Sequence, residues 1–281
     1  MMPAEKLFDG YAESYQTLFN EHSLGIYQRA VMHEEMRPFL EKSDHVLDIG
    51  CGPGSDFELY SHFDIKIDAI DVSEKMADLA RRRADELRLD ARIIQSSLEE
   101  FFPARKYDFI ILNFGVINVF GNLTDILTRL SYMLNKNGSL MIVSMPPFHL
   151  FTMLELLIRF KFGLIFRRLI RRRLVISATE IYYHGAKPFH VNFRVIRRIH
   201  LCSILPSPEQ YSRHRVFRKL TDWLISTDKK IRFYVPGFFG GDHVCYILTH
   251  RSHGNASTAD VQTKTDMTIV NNEGDLWRTG P

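Results

Sequence analysis

The stretch VLDIGCGPG, residues 46–54, runs from a hydrophobic segment into a loop with glycine at every second position. Val46, Leu47 and Ile49 are typical of a buried strand. The glycines let the backbone turn tightly and approach a ligand closely. The next residues, SDFELYSHF, indicate a helix whose first N–H groups point back towards the loop. In an open α/β sheet, this edge is where ligands bind.

The rest of the first half alternates hydrophobic runs with segments of helical periodicity. Helices are predicted over 73–87, with Ser73 as the N-cap, and over 122–134, which NKNG (135–138) closes as a glycine-ended turn. Strands are predicted at HVLDIG (45–50), IKIDAID (65–71), ARIIQS (91–96), YDFIILN (107–113) and SLMIVSM (139–145). This alternation predicts an α/β fold, a Rossmann-like doubly wound sheet of seven mostly parallel strands.

The second half departs from this rhythm. The segment 146–174 predicts one or two helices interrupted near Gly163, and 175–195 predicts a hairpin around a Gly-Ala-Lys-Pro turn. A strand, a helix and a last strand are expected at 197–205, 208–228 and 242–250. We therefore expect one domain over 1–251, made of a cofactor-binding core (1–145), a helical and hairpin lid insertion (146–200) and the last strands (201–251). The polar residues 252–281 are predicted to be a disordered tail.

Charge divides the chain in the same place. Residues 1–144 hold 15 Lys and Arg against 23 Asp and Glu, whereas residues 145–251 hold 19 against 6. Opposite signs in the two halves predict an anionic partner or surface for the second half.

Cysteine usage bears on the cellular setting. Cys51, Cys202 and Cys245 are scattered, so neither a disulfide framework nor a cysteine metal site is indicated, and we expect no metal. The first residues contain no apolar signal-peptide core. We expect a reducing, cytoplasmic location.

The identity of the ligand follows from three features of the loop. A dinucleotide fingerprint, G-x-G-x-x-G, would need glycine at position 55, where the chain has Ser55. Asp48 would repel a pyrophosphate but could pair with a cationic amino group. Asp71, at the end of the second predicted strand, is placed to accept hydrogen bonds from ribose hydroxyls. A nucleoside joined to an amino acid without phosphates satisfies this pattern, and S-adenosylmethionine is such a molecule.

The same residues resemble the class I S-adenosylmethionine-dependent methyltransferases. The D-x-G-x-G-x-G motif is present from Asp48 to Gly54, and AIDVSEKM contains the acidic end of the second strand. QSSLEEF, YDFIILNFGVINV and LNKNGSLMIVSM resemble the next three motifs in order, and LFDGYAESYQ (7–16) resembles a helix that often begins these proteins. Ser97 departs from the family's usual aspartate. The resemblance covers about residues 7–145.

This resemblance implies a set of cofactor-binding residues. They would hold the methionyl part, the ribose and the adenine of S-adenosyl-L-methionine. They are Tyr11, Asp48, Gly50, Cys51, Gly52, Gly54, Asp71, Val72, Met76, Ser97, Leu98, Asn113, Phe114 and Gly115.

The acceptor is expected to be a hydrophobic or amphipathic small molecule, methylated at oxygen because no D/NPPY-type sequence follows the fourth strand. His149 and Tyr15 are the candidate catalytic bases, with His184 and His190 as further ones and Asp242–His243 as an ordering pair. A nucleic-acid methyltransferase that uses the basic half, a non-catalytic cofactor-binding scaffold and a dinucleotide enzyme are the alternatives.

RFKFGLIFRRLIRRR, residues 159–173, holds seven Lys and Arg among 15 residues, interleaved with Phe, Leu and Ile. Three interpretations remain open: a solvated face, contact with an anionic membrane surface, or contact with an acidic partner such as a carrier protein or an anionic substrate. Charges interrupt the apolar run well before the roughly 20 residues that a membrane span needs. No nucleic-acid-binding motif is present, and the oligomeric state is not indicated.

Overall fold

The elements are described on a computed structural model, which describes residues 9–10, 23–176, 179–206, 215–231 and 241–251. The helices are α1 (Ser23–Leu40), α2 (Phe57–Tyr60), α3 (Glu74–Leu87), α4 (Leu123–Met133), α5 (Leu150–Ile158), α6 (Phe162–Phe166) and α7 (Arg215–Ile231). The strands are β1 (His45–Ile49), β2 (Lys66–Asp71), β3 (Ala91–Gln95), β4 (Tyr107–Leu112), β5 (Leu134–Ser144), β6 (Arg173–Ile176), β7 (Thr179–Tyr182), β8 (Phe193–Leu201) and β9 (His243–His250).

Seven of these strands form one sheet in the order β3-β2-β1-β4-β5-β9-β8. The first five pair in parallel, whereas β9 pairs antiparallel to both β5 and β8. The strand order reverses between β1 and β4, and the loops after these strands therefore flank the crevice in which such sheets bind ligands. The predicted seven-stranded, mostly parallel, Rossmann-like fold is confirmed.

Alternating side chains of the strands supply the cores on the two faces of the sheet. Val46 of β1 and Phe109 of β4 belong to one buried cluster, which α1 covers. Leu47 and Ile110, the neighbouring residues, belong to the other, which α4 covers. Because both faces are covered, the central strands are continuously hydrophobic, which is why the sequence identifies them.

Polar side chains cap the N-termini of α3 and α4. The Ser73 hydroxyl accepts the Met76 N–H at 3.2 Å and caps α3, as predicted. Asn122 caps α4 by accepting the Thr124 N–H at 3.0 Å.

Two local predictions, the NKNG turn and the position of the hairpin, are wrong. NKNG is not a turn but part of β5, where Tyr107 pairs with Leu134 and Phe109 with Ser139, so that residues 135–138 form an irregularity in the strand. The interruption predicted near Gly163 is present as the break between α5 and α6 at residues 159–161, where Phe160 has a φ of +54°.

The hairpin also lies elsewhere than predicted. Its strands are β6 and β7, with Arg173 opposite Tyr182. The Gly-Ala-Lys-Pro sequence instead leads into a 3₁₀ turn, Lys187–His190, because proline suits the first turn of a helix.

The chain divides into two units, Met1–His250 and Arg251–Pro281. The predicted disordered tail and the candidate residues Tyr11 and Tyr15 lie outside the described residues. The finer division into core, lid and last strands stays a prediction. Among the described helices, none combines the length and the hydrophobicity that crossing a bilayer requires.

Candidate active site

The glycine loop after β1 adopts backbone angles that favour glycine at three positions. Gly50, Gly52 and Gly54 have φ of +71°, +55° and +76°. A Cβ on Gly50 would lie 2.4 Å from Val116 Cγ2, and one on Gly54 would lie 2.7 Å from the Phe57 ring. A Cβ on Gly52 would have no neighbouring atom within 4 Å. Two glycines therefore let the loop pack against the protein, and Gly52 leaves space beside its backbone.

Asp71, the last residue of β2, is held against this loop. Its Oδ2 accepts the Gly52 N–H at 2.9 Å and its Oδ1 accepts the Ser73 N–H at 2.9 Å. Burial raises the pKa of Asp71, and the two N–H groups oppose that shift. Each carboxylate oxygen has a second lone pair, so Asp71 can accept further hydrogen bonds from a diol.

Asp48, near the end of β1, is buried and accepts the Tyr60 hydroxyl hydrogen bond at 3.0 Å. Burial, with a smaller effect from the nearby Asp56, raises the pKa of Asp48 to about 8. A cation placed beside it would favour the ionised carboxylate and lower that pKa. The pairing of Asp48 with an ammonium group of the ligand stays a prediction.

Asp56, which the sequence analysis missed, is the centre of a polar network behind the loop. It forms an ion pair with Arg29, lies 2.8 Å from His33 Nε2, and accepts the Asn113 amide at 2.9 Å. Burial opposes ionisation of Asp56, but Arg29 and His33 hold its pKa well below the ordinary value. The network joins α1, the glycine loop and the end of β4. An aspartate two residues after the last glycine was its only signal in the sequence.

The loop after β4 has the other unusual backbone angles at this edge. Phe114 has a φ of +37° and Gly115 a φ of +85°. The Arg29 guanidinium lies 5.1 Å from the Phe114 ring centre, and the His243 ring meets Phe114 edge to face at 5.7 Å. The Asn113 amide oxygen accepts the Phe114 N–H at 3.0 Å. Both the nitrogen and the oxygen of the Asn113 amide therefore form hydrogen bonds within the protein.

Asn118, which follows in the 3₁₀ turn Val116–Val119, ties this loop to the insertion. Its amide nitrogen donates to the carbonyl oxygens of Met145, at 3.1 Å, and Tyr182, at 2.5 Å. Its amide oxygen accepts the Met145 N–H at 2.8 Å. One buried side chain thus connects the end of β4, the end of β5 and the β6–β7 hairpin. The sequence analysis quoted Asn118 but gave it no role.

The residues expected to contact adenine lie at the ends of β2 and β3. Val72 and Ser97 are partly exposed, whereas Met76 and Leu98 are buried. Asp9 hydrogen-bonds to the Ser73 hydroxyl, which brings the start of the chain to the same edge. Burial raises the thiol pKa of Cys51 well above its ordinary value, so this thiol stays protonated. The ligand contacts of all these residues stay predictions.

His149, the leading candidate base, is buried at the N-cap of α5. Its Nδ1 lies 2.8 Å from the Thr152 hydroxyl and its Nε2 3.0 Å from the Leu205 carbonyl oxygen. Burial lowers the pKa of this histidine. Both nitrogens are thus engaged within the protein, which favours a structural role, and its catalytic role stays a prediction.

The structure also describes the surroundings of the three other histidines named in the sequence analysis. His184 Nε2 lies 2.8 Å from the Phe120 carbonyl oxygen, and burial lowers the pKa of this ring. His190 is exposed at the end of the 3₁₀ turn. His243 Nδ1 lies 3.0 Å from Asp242 Oδ2, as expected for an ordering pair.

A comparison with protein families finds that residues 46–138 match the model of a methyltransferase domain. Two curated relatives match in sequence. The uncharacterized protein MJ1252 of Methanocaldococcus jannaschii is 26% identical over 139 residues, which is 49% of each chain. The uncharacterized methyltransferase YdaC of Bacillus subtilis is 39% identical over 75 residues, 26% of this chain and 40% of that protein. The matches thus span half or less of the length of these relatives.

A solved structure extends the comparison to most of the fold. The 1,6-didemethyltoxoflavin-N1-methyltransferase of Burkholderia thailandensis was crystallised with 1,6-didemethyltoxoflavin and S-adenosylhomocysteine. It superposes with a TM-score of 0.57 at 12% identity and covers 89% of this chain and 88% of its own. At that identity the likeness shows the shared fold.

Proposed function

We propose that this chain, which contains a class I S-adenosylmethionine-dependent methyltransferase domain, transfers a methyl group from S-adenosylmethionine to an oxygen of a hydrophobic or amphipathic small molecule. The observation that carries the cofactor assignment is the pairing of Gly52 with Asp71. The backbone beside Gly52 is open, and the carboxylate that receives its N–H has lone pairs to spare. A ribose diol fits this arrangement, and a pyrophosphate does not.

Different groups at this edge of the sheet would bind different parts of the cofactor. Asp71 would accept the ribose hydroxyls, and Asp48 would face the ammonium of the methionyl part. Val72 and Leu98 would pack on the adenine. When bound, S-adenosylmethionine supplies an electrophilic methyl group on a sulfonium sulfur. The Asp56 network would hold the loops after β1 and β4 in place, so that cofactor and acceptor meet in line.

The acceptor class is inferred from the insertion and from the bases. The B. thailandensis neighbour, which was crystallised with 1,6-didemethyltoxoflavin, supports a small-molecule acceptor. His149 and His184 are both engaged with backbone carbonyl oxygens. We therefore infer an acceptor oxygen that ionises readily, such as a phenol or a carboxylic acid, because it requires little help from a base.

Calorimetry tests the cofactor assignment. The wild-type chain should bind S-adenosylmethionine and not NADH. Asp71→Asn should weaken that binding by about 1.5–3 kcal/mol, at least tenfold, because a charge-assisted hydrogen bond is lost. The matched control is Asp68→Asn on the same strand, where the carboxylate pairs with Arg92 away from the loop. Binding of NADH alone, or equal affinity in wild type and Asp71→Asn, would refute the assignment.

A deuterated-methyl screen tests the acceptor. The protein is incubated with methyl-deuterated S-adenosylmethionine and a cell extract, and the label is traced by mass spectrometry in the organic, nucleic-acid and protein fractions. We expect label in an extractable small molecule, with fragmentation placing it on oxygen. Label in RNA or DNA, or on nitrogen, contradicts the acceptor proposal. Cofactor binding with no label in any fraction supports a non-catalytic scaffold.

A further inference from the structure

The insertion carries a surface that is at once hydrophobic and cationic, which we call the lid surface, residues 154–175. Eight of its large hydrophobic side chains expose between 45% and 80% of their area. They are Leu154, Leu157, Ile158, Phe160, Phe162, Phe166, Ile170 and Val175. Soluble proteins seldom expose so many neighbouring hydrophobic side chains, and such patches mark contact sites.

Five of these side chains lie on α5 and α6, and Phe160 lies at the corner between the two helices. Leu154, Leu157 and Ile158 are spaced three and four residues apart and share one face of α5. The Phe160 and Phe162 rings meet edge to face, with centres 6.2 Å apart, at the corner between α5 and α6. The patch therefore continues from one helix across the corner to the next.

Phe160 shows that this corner is not optimised for folding. Its φ of +54° lies in the left-handed region, where glycine is favoured and a bulky residue is strained. Its side chain is 80% exposed, so packing within the chain does little to offset that strain. A phenylalanine that costs stability and projects into solvent is suited to burial in something else.

Cations surround these hydrophobic groups. Arg159 and Arg173 pair with Glu155 and Glu180. Arg168 is buried under Tyr183, where it donates to the Pro147 carbonyl oxygen. The remaining four, Lys161, Arg167, Arg171 and Arg172, are exposed and pair with no carboxylate in the described part of the chain.

We propose that the lid surface docks on an anionic lipid bilayer. Phe160 and Phe162 enter the boundary between head groups and acyl chains, and the unpaired cations contact lipid phosphates. Phe160 and Phe162 expose 80% and 58% of their area beside these cations, and such exposed bulky side chains suit a deformable surface better than a folded acidic protein. The docking does not depend on the proposed reaction.

Flotation with vesicles tests the docking. The full chain is mixed with vesicles of phosphatidylcholine, with or without phosphatidylglycerol, and the fraction that floats is measured at low and high salt. We expect flotation with the anionic vesicles, reduced by salt and lost with phosphatidylcholine alone. Failure to float with anionic vesicles at low salt overturns the proposal. So does salt-sensitive capture by an acidic carrier protein without lipid binding.

Phe160→Gly separates docking from folding. Glycine relieves the left-handed strain, so thermal stability should be unchanged or higher, while lipid affinity falls about tenfold with the loss of a buried aromatic ring. The matched control is Phe102→Gly, because Phe102 is also 80% exposed but lies outside the lid surface. Equal flotation of Phe160→Gly and wild type would show attraction by charge alone and would overturn the insertion.

A second set of variants tests the cations. Replacing Arg167, Arg171 and Arg172 by Gln should weaken binding about fivefold per charge removed. The control replaces the exposed Arg82, Lys106 and Lys136 by Gln, which removes the same net charge from the first half of the chain. Equal losses in the two sets would indicate non-specific attraction and contradict the lid surface as the docking site.

Discussion

Two glycines of one loop should respond differently to the same substitution, because a methyl group overlaps a neighbour at Gly50 and meets open space at Gly52. Gly50→Ala places a methyl group 2.4 Å from Val116 Cγ2 at a φ of +71°. The left-handed backbone costs about 1–2 kcal/mol for a residue with a Cβ. The overlap adds about 1–3 kcal/mol. Unfolding of Gly50→Ala should therefore be easier by about 2–5 kcal/mol.

Gly52→Ala has the backbone cost without the overlap, because its methyl group enters open space. It should lose only about 1–2 kcal/mol of stability. If the cofactor lies against Gly52, the methyl group occupies the cofactor's place, and the affinity for S-adenosylmethionine should fall far more than the stability.

Urea unfolding measures the free energy of each variant, and calorimetry measures its cofactor affinity. Val116→Ala provides the control, since combining it with Gly50→Ala removes the overlapping methyl groups and should restore about 1–3 kcal/mol. Equal stability losses at both glycines would refute the packing argument. Unchanged cofactor affinity in Gly52→Ala would refute the assignment of the open space to the cofactor.

Three further predictions follow from buried polar groups. The pKa of Asp48 is about 8 in the folded chain and about 3.9 in the unfolded chain, so between these pH values only the folded protein keeps the proton. In urea titrations, the stability of wild type relative to Asp48→Asn should therefore fall as pH rises from 5 to 8, by up to about 1.4 kcal/mol per pH unit. A stability difference that rises with pH would contradict the raised pKa of Asp48. His149→Ala should lower stability by about 1–3 kcal/mol because the Leu205 carbonyl oxygen loses its partner; a thermally unchanged variant whose turnover and pH profile collapse would instead identify a catalytic base. Asn118→Ala should increase amide exchange at Tyr182 relative to the sheet, because it removes hydrogen bonds to the insertion, and unchanged exchange there would argue against this tether.

The sequence alone was sufficient for the central fold and for the loop on which the cofactor proposal rests. Val46 to Gly54 combine a strand that is buried on both faces with a turn that only glycine accommodates easily, and both properties are local. Asp71 was found in the same way, because the carboxyl ends of neighbouring parallel strands meet at one edge. Ser73 is a cap whose partner lies three residues away.

Only the tertiary structure decided the contacts between distant segments. Asp56 depends on Arg29 of α1 and on Asn113 just after β4, which no sequence period brings together. Asn118 meets Tyr182 after 64 residues of chain. His149 looked like a base by its position, yet its ring is engaged by a carbonyl 56 residues further on.

In the insertion, the sequence likewise did not predict which side chains are buried. Its composition indicated a cationic and hydrophobic segment, but periodicity could not say which side chains are buried. The structure buries Arg168 against Tyr183 and leaves Phe160 exposed, the reverse of what hydrophobicity alone favours. Burial depends on what packs against each residue, and that is fixed when the helices and the hairpin fold onto the sheet.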